Sequence, residues 1–234
     1  MKHTFLIKDW LSSFLSLLFP RCCVVCGRPL AKGEECICTV CNINLPRTNY
    51  HLRKDDPVEQ LFWGQIPLER ATSFFFYEKG SDFRLILHRL KYGGQKEIGA
   101  IMGRYMAAEL LSSHFFQGID VIIPIPLHKK KQQIRGYNQS EWIARGIAAV
   151  TGIPIDTESI LRKKNTETQT RKSVFERRDN VEGIFELQHP ETLAGKHILI
   201  VDDVLTTGST TLACASCLVN VEGIRISILT LATA

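Results

Sequence analysis

No run in this chain is both apolar enough and long enough to cross a bilayer. It also has no internal repeat and no low-complexity tract, which excludes solenoids and extended biased arms. Charged residues make up only 23% and apolar residues 44%, so wholesale disorder is excluded and a well-buried core is expected. A cleavable secretion signal is missing as well. Lys8 and Asp9 interrupt the first apolar stretch, and no small-residue cleavage site follows it. The 234 residues suit one domain of ordinary size plus a small extra module.

The net charge is +5, but it is unevenly spread. Twelve Lys and Arg against five acids fall between Leu127 and Arg178, a surplus of seven, so the rest of the chain is slightly acidic. Such a concentration reads as a local anion site. Six of the eight cysteines lie within residues 22–41. Cys23-x-x-Cys26 and Cys38-x-x-Cys41, with eleven residues between the pairs, are spaced to hold Zn²⁺ in a closed, structural four-thiolate site. Cys36 in place of Cys38 is an alternative register, and Cys22 adds another thiol. Cys214 and Cys217 sit at core spacing inside a later helix and read as small buried residues.

Four segments follow from the pattern. Residues 1–20 form an amphipathic helix with Ile7, Trp10, Leu11, Phe14, Leu15 and Leu18 on one face. That face suits packing on the protein itself, or alternatively an interfacial contact with a membrane or a partner. Residues 21–46 form the cysteine module, 47–70 a polar linker, and 71–234 an α/β domain. In that domain continuous apolar strands such as "DVIIPIPL" and "HILIVDDV" alternate with helices such as "NQSEWIARGIAAVTG". This predicts a parallel sheet covered on both faces. Ser81 is expected to cap a helix through Tyr92, with another from about Glu97 to Leu111. Short strands are expected at "ESILRK" and "GIFEL", and a capping box at Ser173 and Glu176.

The stretch "ILIVDDVLTTGSTT" carries the chemistry. Asp202 and Asp203 stand at the carboxyl end of a buried strand, where open parallel sheets bind ligands. Successive strand residues face opposite ways, so the two acids have different partners. Behind them Thr206, Thr207, Gly208, Ser209 and Thr210 lead into a helix start, which offers backbone N–H donors to a phosphate. No Lys follows Gly208, so this is not a triphosphate-binding Walker loop. Loop amides for a phosphate and carboxylates for sugar hydroxyls together imply a ribose 5-phosphate ligand.

Residues 198–210 resemble the binding motif for phosphoribosyl pyrophosphate (PRPP) in type I phosphoribosyltransferases. The resemblance implies that fold, with Mg²⁺ bridging pyrophosphate oxygens and sugar hydroxyls. It also implies a pyrophosphate loop after the strand at 121–127, where His128, Lys129, Lys130, Lys131, Arg135 and Gly136 stand. Asp202, Asp203 and Arg135 take the catalytic positions, and "LRKKNTETQTRKSVFERRDNV" the position of a loop that closes over the ligand. No residue identifies an acceptor.

The four-Cys module together with "LKYGG", "RGYNQSE" and "ERRDNVEGIF" is similar to the ComF family of competence proteins over essentially the whole chain, although Arg171 stands where the family pattern has Gly. That resemblance implies a cytoplasmic accessory to natural transformation, working with imported single-stranded DNA and a helicase-like partner. The N-terminal helix then offers peripheral contact with the inner membrane face. A phosphoribosyltransferase of nucleotide or amine metabolism, or a PRPP-sensing regulator, is the alternative.

Overall fold

The computed structural model describes residues 20–163 and 183–234. The N-terminal amphipathic stretch, the Ser173–Glu176 box and most of the expected closing loop lie outside them. Among the described residues no helix is long and apolar enough to cross a membrane.

The first helix, α1 (Thr39–Ile43), belongs to the cysteine module, and α2 (Pro57–Gln60) follows it. Then come β1 (Leu68–Phe76), α3 (Arg84–Tyr92), α4 (Glu97–Leu110) and β2 (Val121–Pro124). α5 (Lys129–Arg135) and α6 (Gln139–Thr151) lead to β3 (Ile160–Arg162) and β4 (Phe185–Leu187). The chain finishes with β5 (His197–Leu205), α7 (Ser209–Ser216) and β6 (Arg225–Thr233). The main sheet has the order β1-β6-β5-β2 with every pairing parallel. Its central strands are apolar residue after residue because both faces are covered, as the sequence predicts. One face packs Leu199, Val201, Leu229 and Leu231 against α3, α4 and α6. The other packs Ile198, Ile200, Ile226 and Ile228 against Cys214 and Leu218, with Val58 and Phe62 added from the segment before β1.

α4 and α6 touch backbone to backbone. A Cβ on Gly103 would overlap the Ile143 carbonyl, and one on Gly146 would overlap the Ala100 carbonyl. α6 is capped at both ends: Asn138 Oδ1 accepts from Ser140 N at 3.2 Å, and Gly152 ends it at φ +73°. Glu141, three residues after Asn138, pairs with Arg145 at 2.7 Å. Ser81 Oγ accepts from Phe83 N at 3.3 Å, in the turn just before α3 rather than as its cap.

Three local expectations are revised. β3 and β4 do not join the parallel sheet; they pair with each other as an antiparallel ribbon bracketing residues 164–182. Each has three residues, too few to span a buried sheet, and Leu161 is largely exposed. The basic segment expected as a loop is helical at Lys129–Arg135, its start capped by His128, whose Nδ1 accepts from Lys130 N at 3.2 Å. The segment between the cysteine module and β1 carries helical turns at Tyr50–Leu52 and Pro57–Gln60 and buries Val58 and Phe62 completely.

Candidate functional site

β2 ends its pairing with β5 at Pro124 opposite Val201, whereas β5 continues beside β6 to Leu205 opposite Thr233. Asp202 is therefore the first β5 residue past the end of β2, at the mouth of the crevice that parallel sheets use for ligands. The start of α6 is tied to the same edge, since Asn138 Nδ2 donates to the Ile125 carbonyl at 3.0 Å. This brings Ser140 Oγ to 2.9 Å from Asp202 Oδ1, which also accepts from Asp203 N at 2.9 Å. Asp203 faces another partner: Lys91 Nζ, from the last turn of α3, lies 3.1 Å from its Oδ1. The alternation of strand side chains thus gives the two acids separate neighbours. Burial, reinforced by the Asp203 charge, pushes the Asp202 carboxyl up to about 7.

Lys91 brings a cation into contact with this pair. Burial lowers the Lys131 ammonium, and the charges of Arg162, Arg135 and Lys91 lower it further. Arg162 is lowered by its own burial while the Asp202 charge favours its ionised form. Arg135 Nη1 donates to Gln139 Oε1 at 2.6 Å, and its guanidinium lies 5.5 Å from the Tyr92 ring centre. Of the lysine triplet, Lys131 turns inward, while Lys129 and Lys130 are exposed. His128 and Lys129 line a neighbouring cavity of about 520 Å³ between α5 and the β3–β4 ribbon. Gly136 ends α5 at φ +80°.

On the other side of the acids, Gly208 adopts φ +73° and precedes α7 with no side-chain cap. The first-turn N–H groups of that helix have no intrahelical acceptors and face outward with its positive dipole end. A Cβ on Gly208 would stand 3.4 Å from Phe62, so that buried ring is the floor under the loop. Thr207 Oγ1 and Ser209 Oγ are 2.9 Å apart; Thr206, Thr207 and Thr210 are exposed. Sequence reasoning selected this loop and the acids. It missed Lys91, Arg162 and Ser140 as neighbours of the acids, although "LKYGG" and "RGYNQSE" flagged the segments that hold two of them.

In the cysteine module the sulfurs of Cys23, Cys26, Cys38 and Cys41 all lie within 4.8 Å of one another. Cys26 and Cys38 Sγ are 3.7 Å apart, against about 3.8 Å for two thiolates on one tetrahedral zinc. Backbone N–H groups of Cys38 and Cys41 donate to Cys23 and Cys38 sulfurs at 3.3 and 3.5 Å. Bonds of this kind, the one from Arg28 foremost, pull the exposed Cys26 thiol down to about 6. Cys22 and Cys36 lie outside the cluster, and burial pushes Cys36 up to about 12, so the geometry keeps Cys38 in the set. The donor set suits a structural Zn²⁺. Cys214 is fully buried, and Cys217 Sγ donates to its carbonyl at 2.9 Å, as expected of core residues.

Comparison with known proteins agrees with this geometry. Residues 139–234 match the phosphoribosyl transferase domain. The chain is 31% identical over 209 residues to the DNA utilization protein YhgH of Shigella flexneri, covering 83% of this chain and 88% of that one. It is 32% identical over 130 residues to competence protein F of Haemophilus influenzae, covering 54% and 57%. It is 25% identical over 214 residues to competence protein ComFC of Bacillus subtilis, covering 89% and 82%.

Proposed function

The chain belongs to the ComF family of competence and DNA utilization proteins, and from that premise we propose that it binds PRPP, or a related ribose 5-phosphate ligand, in the service of DNA uptake. The observation that carries the ligand is the company of Asp202 and Asp203. An uncapped helix start follows them at Gly208, Lys91 pairs with Asp203, and Arg162 feels the Asp202 charge, while Lys131 and Arg135 add to the same positive field. The loop takes the 5-phosphate. The carboxylates accept hydrogen bonds from the ribose hydroxyls. The cations neutralise the pyrophosphate, and a Mg²⁺ bound with it would supply further positive charge. Cys23, Cys26, Cys38 and Cys41 would hold a structural Zn²⁺. The protein works in the cytoplasm, with single-stranded DNA and a helicase-like protein as partners.

A transferase reading shares this site. In it the cations would stabilise a departing pyrophosphate as the C1–O bond breaks, its electron pair leaving with the phosphate oxygen and an acceptor's lone pair forming the new bond to C1. Titrating PRPP with Mg²⁺ by calorimetry tests the binding. Wild type gives saturable heat, and Asp202→Asn or Asp203→Asn weakens it about tenfold or more, as expected when a charged acceptor becomes a neutral amide. No heat from folded wild-type protein rejects the ligand. Pyrophosphate release across a panel of acceptors then separates a transferase from a sensor.

A further inference from the structure

Tyr92 is out of place on the surface. It directly follows Lys91, which pairs with Asp203, yet its own ring is 69% exposed. The Arg135 guanidinium lies 5.5 Å from its centre, and the His88 ring centroid 5.3 Å away, tilted by 51°. The rest of the ring meets solvent. Ile134, next to Arg135, is 84% exposed on the same lip, and Lys129 and Lys130 are exposed on the same short helix.

An open aromatic ring backed by a guanidinium and flanked by lysines suits one chemical class: a planar base attached to a polyanion. Paired bases in a duplex keep their faces covered, so the strand must be single. We propose that Tyr92, with Arg135 and His88 beside it, is a stacking platform for an unpaired base of single-stranded DNA next to the candidate PRPP site. This rests on the reading of DNA as the partner and names the contact. Among the described residues, the other two aromatics of the basic segment do not serve. Tyr137 is buried and its hydroxyl bonds the Leu90 carbonyl, and Trp142 is covered by Lys96 and Arg145 at 4.7 and 4.9 Å.

The platform also touches the ligand chemistry. Lys91 and Tyr92 are consecutive in the last turn of α3, so the ring offered to a base directly adjoins the lysine that pairs with Asp203.

The test is fluorescence anisotropy with a labelled oligo(dT), the full chain and low salt. Tyr92→Ala should bind about tenfold more weakly, and Tyr92→Phe, which keeps the ring, within about twofold of wild type. An abasic oligomer of equal length and charge should bind wild type about as weakly as oligo(dT) binds Tyr92→Ala. Equal wild-type affinity for abasic and dT oligomers overturns the platform, and that comparison holds even if Tyr92→Ala does not fold. A Tyr92→Ala protein that binds oligo(dT) like wild type overturns it too. Tighter binding of oligo(rU) than of oligo(dT) replaces DNA with RNA. PRPP calorimetry on the same wild-type sample keeps the two readings apart. Base-dependent oligo(dT) binding without PRPP heat removes the ligand and leaves the platform, and PRPP heat with base-independent DNA binding does the reverse.

Discussion

Asp202 and Asp203 are adjacent in sequence and opposite in circumstance. Asp202 is half-buried beside Ser140, its carboxyl raised to about 7, while Asp203 pairs with Lys91. Because the folded-state value is raised, Asp202 holds its proton from the ordinary carboxylate range up to about pH 7 and becomes a charged, stronger acceptor only above it. Ionising it in the native protein costs stability across that window, so its contribution falls as pH rises through it. PRPP affinity should therefore rise with pH through about 7. Removing the Asp203 charge in Asp203→Asn should move that midpoint down, and removing the Lys91 charge in Lys91→Met should move it up, each by about one unit. Calorimetry across pH 5.5–8.5 (a range of roughly three units about the midpoint) reads all three proteins. Equal midpoints would mean that the two charges do not act on Asp202. At this scale the sequence exposed the acids and the alternation that separates their partners. It was silent on Lys91 and Arg162, because a side chain on α3 and another on β3 reach the acids only through the packing of separate elements.

Among the elements, α4 and α6 set the position of the site. α6 begins at Asn138 and presents Ser140 to Asp202, and its close approach to α4 requires bare backbone at Gly103 and Gly146. Gly146→Ala pushes a methyl group into the Ala100 carbonyl. It should cost about 1–3 kcal/mol of stability, or more if the helices cannot separate, measured as a lower urea midpoint at unchanged slope. An unchanged midpoint would contradict the tight crossing. Both helices were legible from their apolar periodicity and from the Asn138 and Gly152 ends. α5 was not. "KKKQQIR" has good helix formers but no apolar stripe, and the hydrophobic pattern that reveals packed helices says nothing about it. β3 and β4 were legible as strands but not as a ribbon, because pairing partners are chosen in space.

Over the whole molecule, the cysteine module is part of the main core. Cys23, Val24, Ile37 and Leu45 belong to one apolar cluster with Phe75, Met106 and Ile122. Arg47 ties the module to α4 through Glu109 at 2.6 Å and to its own Asn42 carbonyl at 2.5 Å, and Arg104 pairs with Glu35 at 2.5 Å. Thr48 N donates to the Phe74 carbonyl at 3.1 Å, while the Thr48 hydroxyl bonds the Ser73 carbonyl. Loss of a metal from the four thiolates should thus weaken the whole chain. Cys41→Ser, or chelation of the wild type, should lower the main thermal transition by roughly 10 °C, at about 2–4 °C per kcal/mol for a chain of this size. Metal analysis should give one zinc per wild-type chain. A main transition that stays in place would mark the module as independent.

The sequence by itself determined the class of structure and the residues of the candidate sites: the parallel α/β sheet, the four-thiolate pattern, and carboxylates before a Thr-, Gly- and Ser-rich helix start. Each of these is written in contiguous residues, where strand alternation, Cys spacing and Gly conformation act over a few positions. Only the tertiary structure decided which cations meet the acids, which thiols leave the metal set, and that the cysteine module shares the core. It also decided that Tyr92, rather than Tyr137, stands open beside Arg135. Those outcomes depend on which faces of distant elements are brought together to bury apolar surface, and local sequence does not encode that meeting.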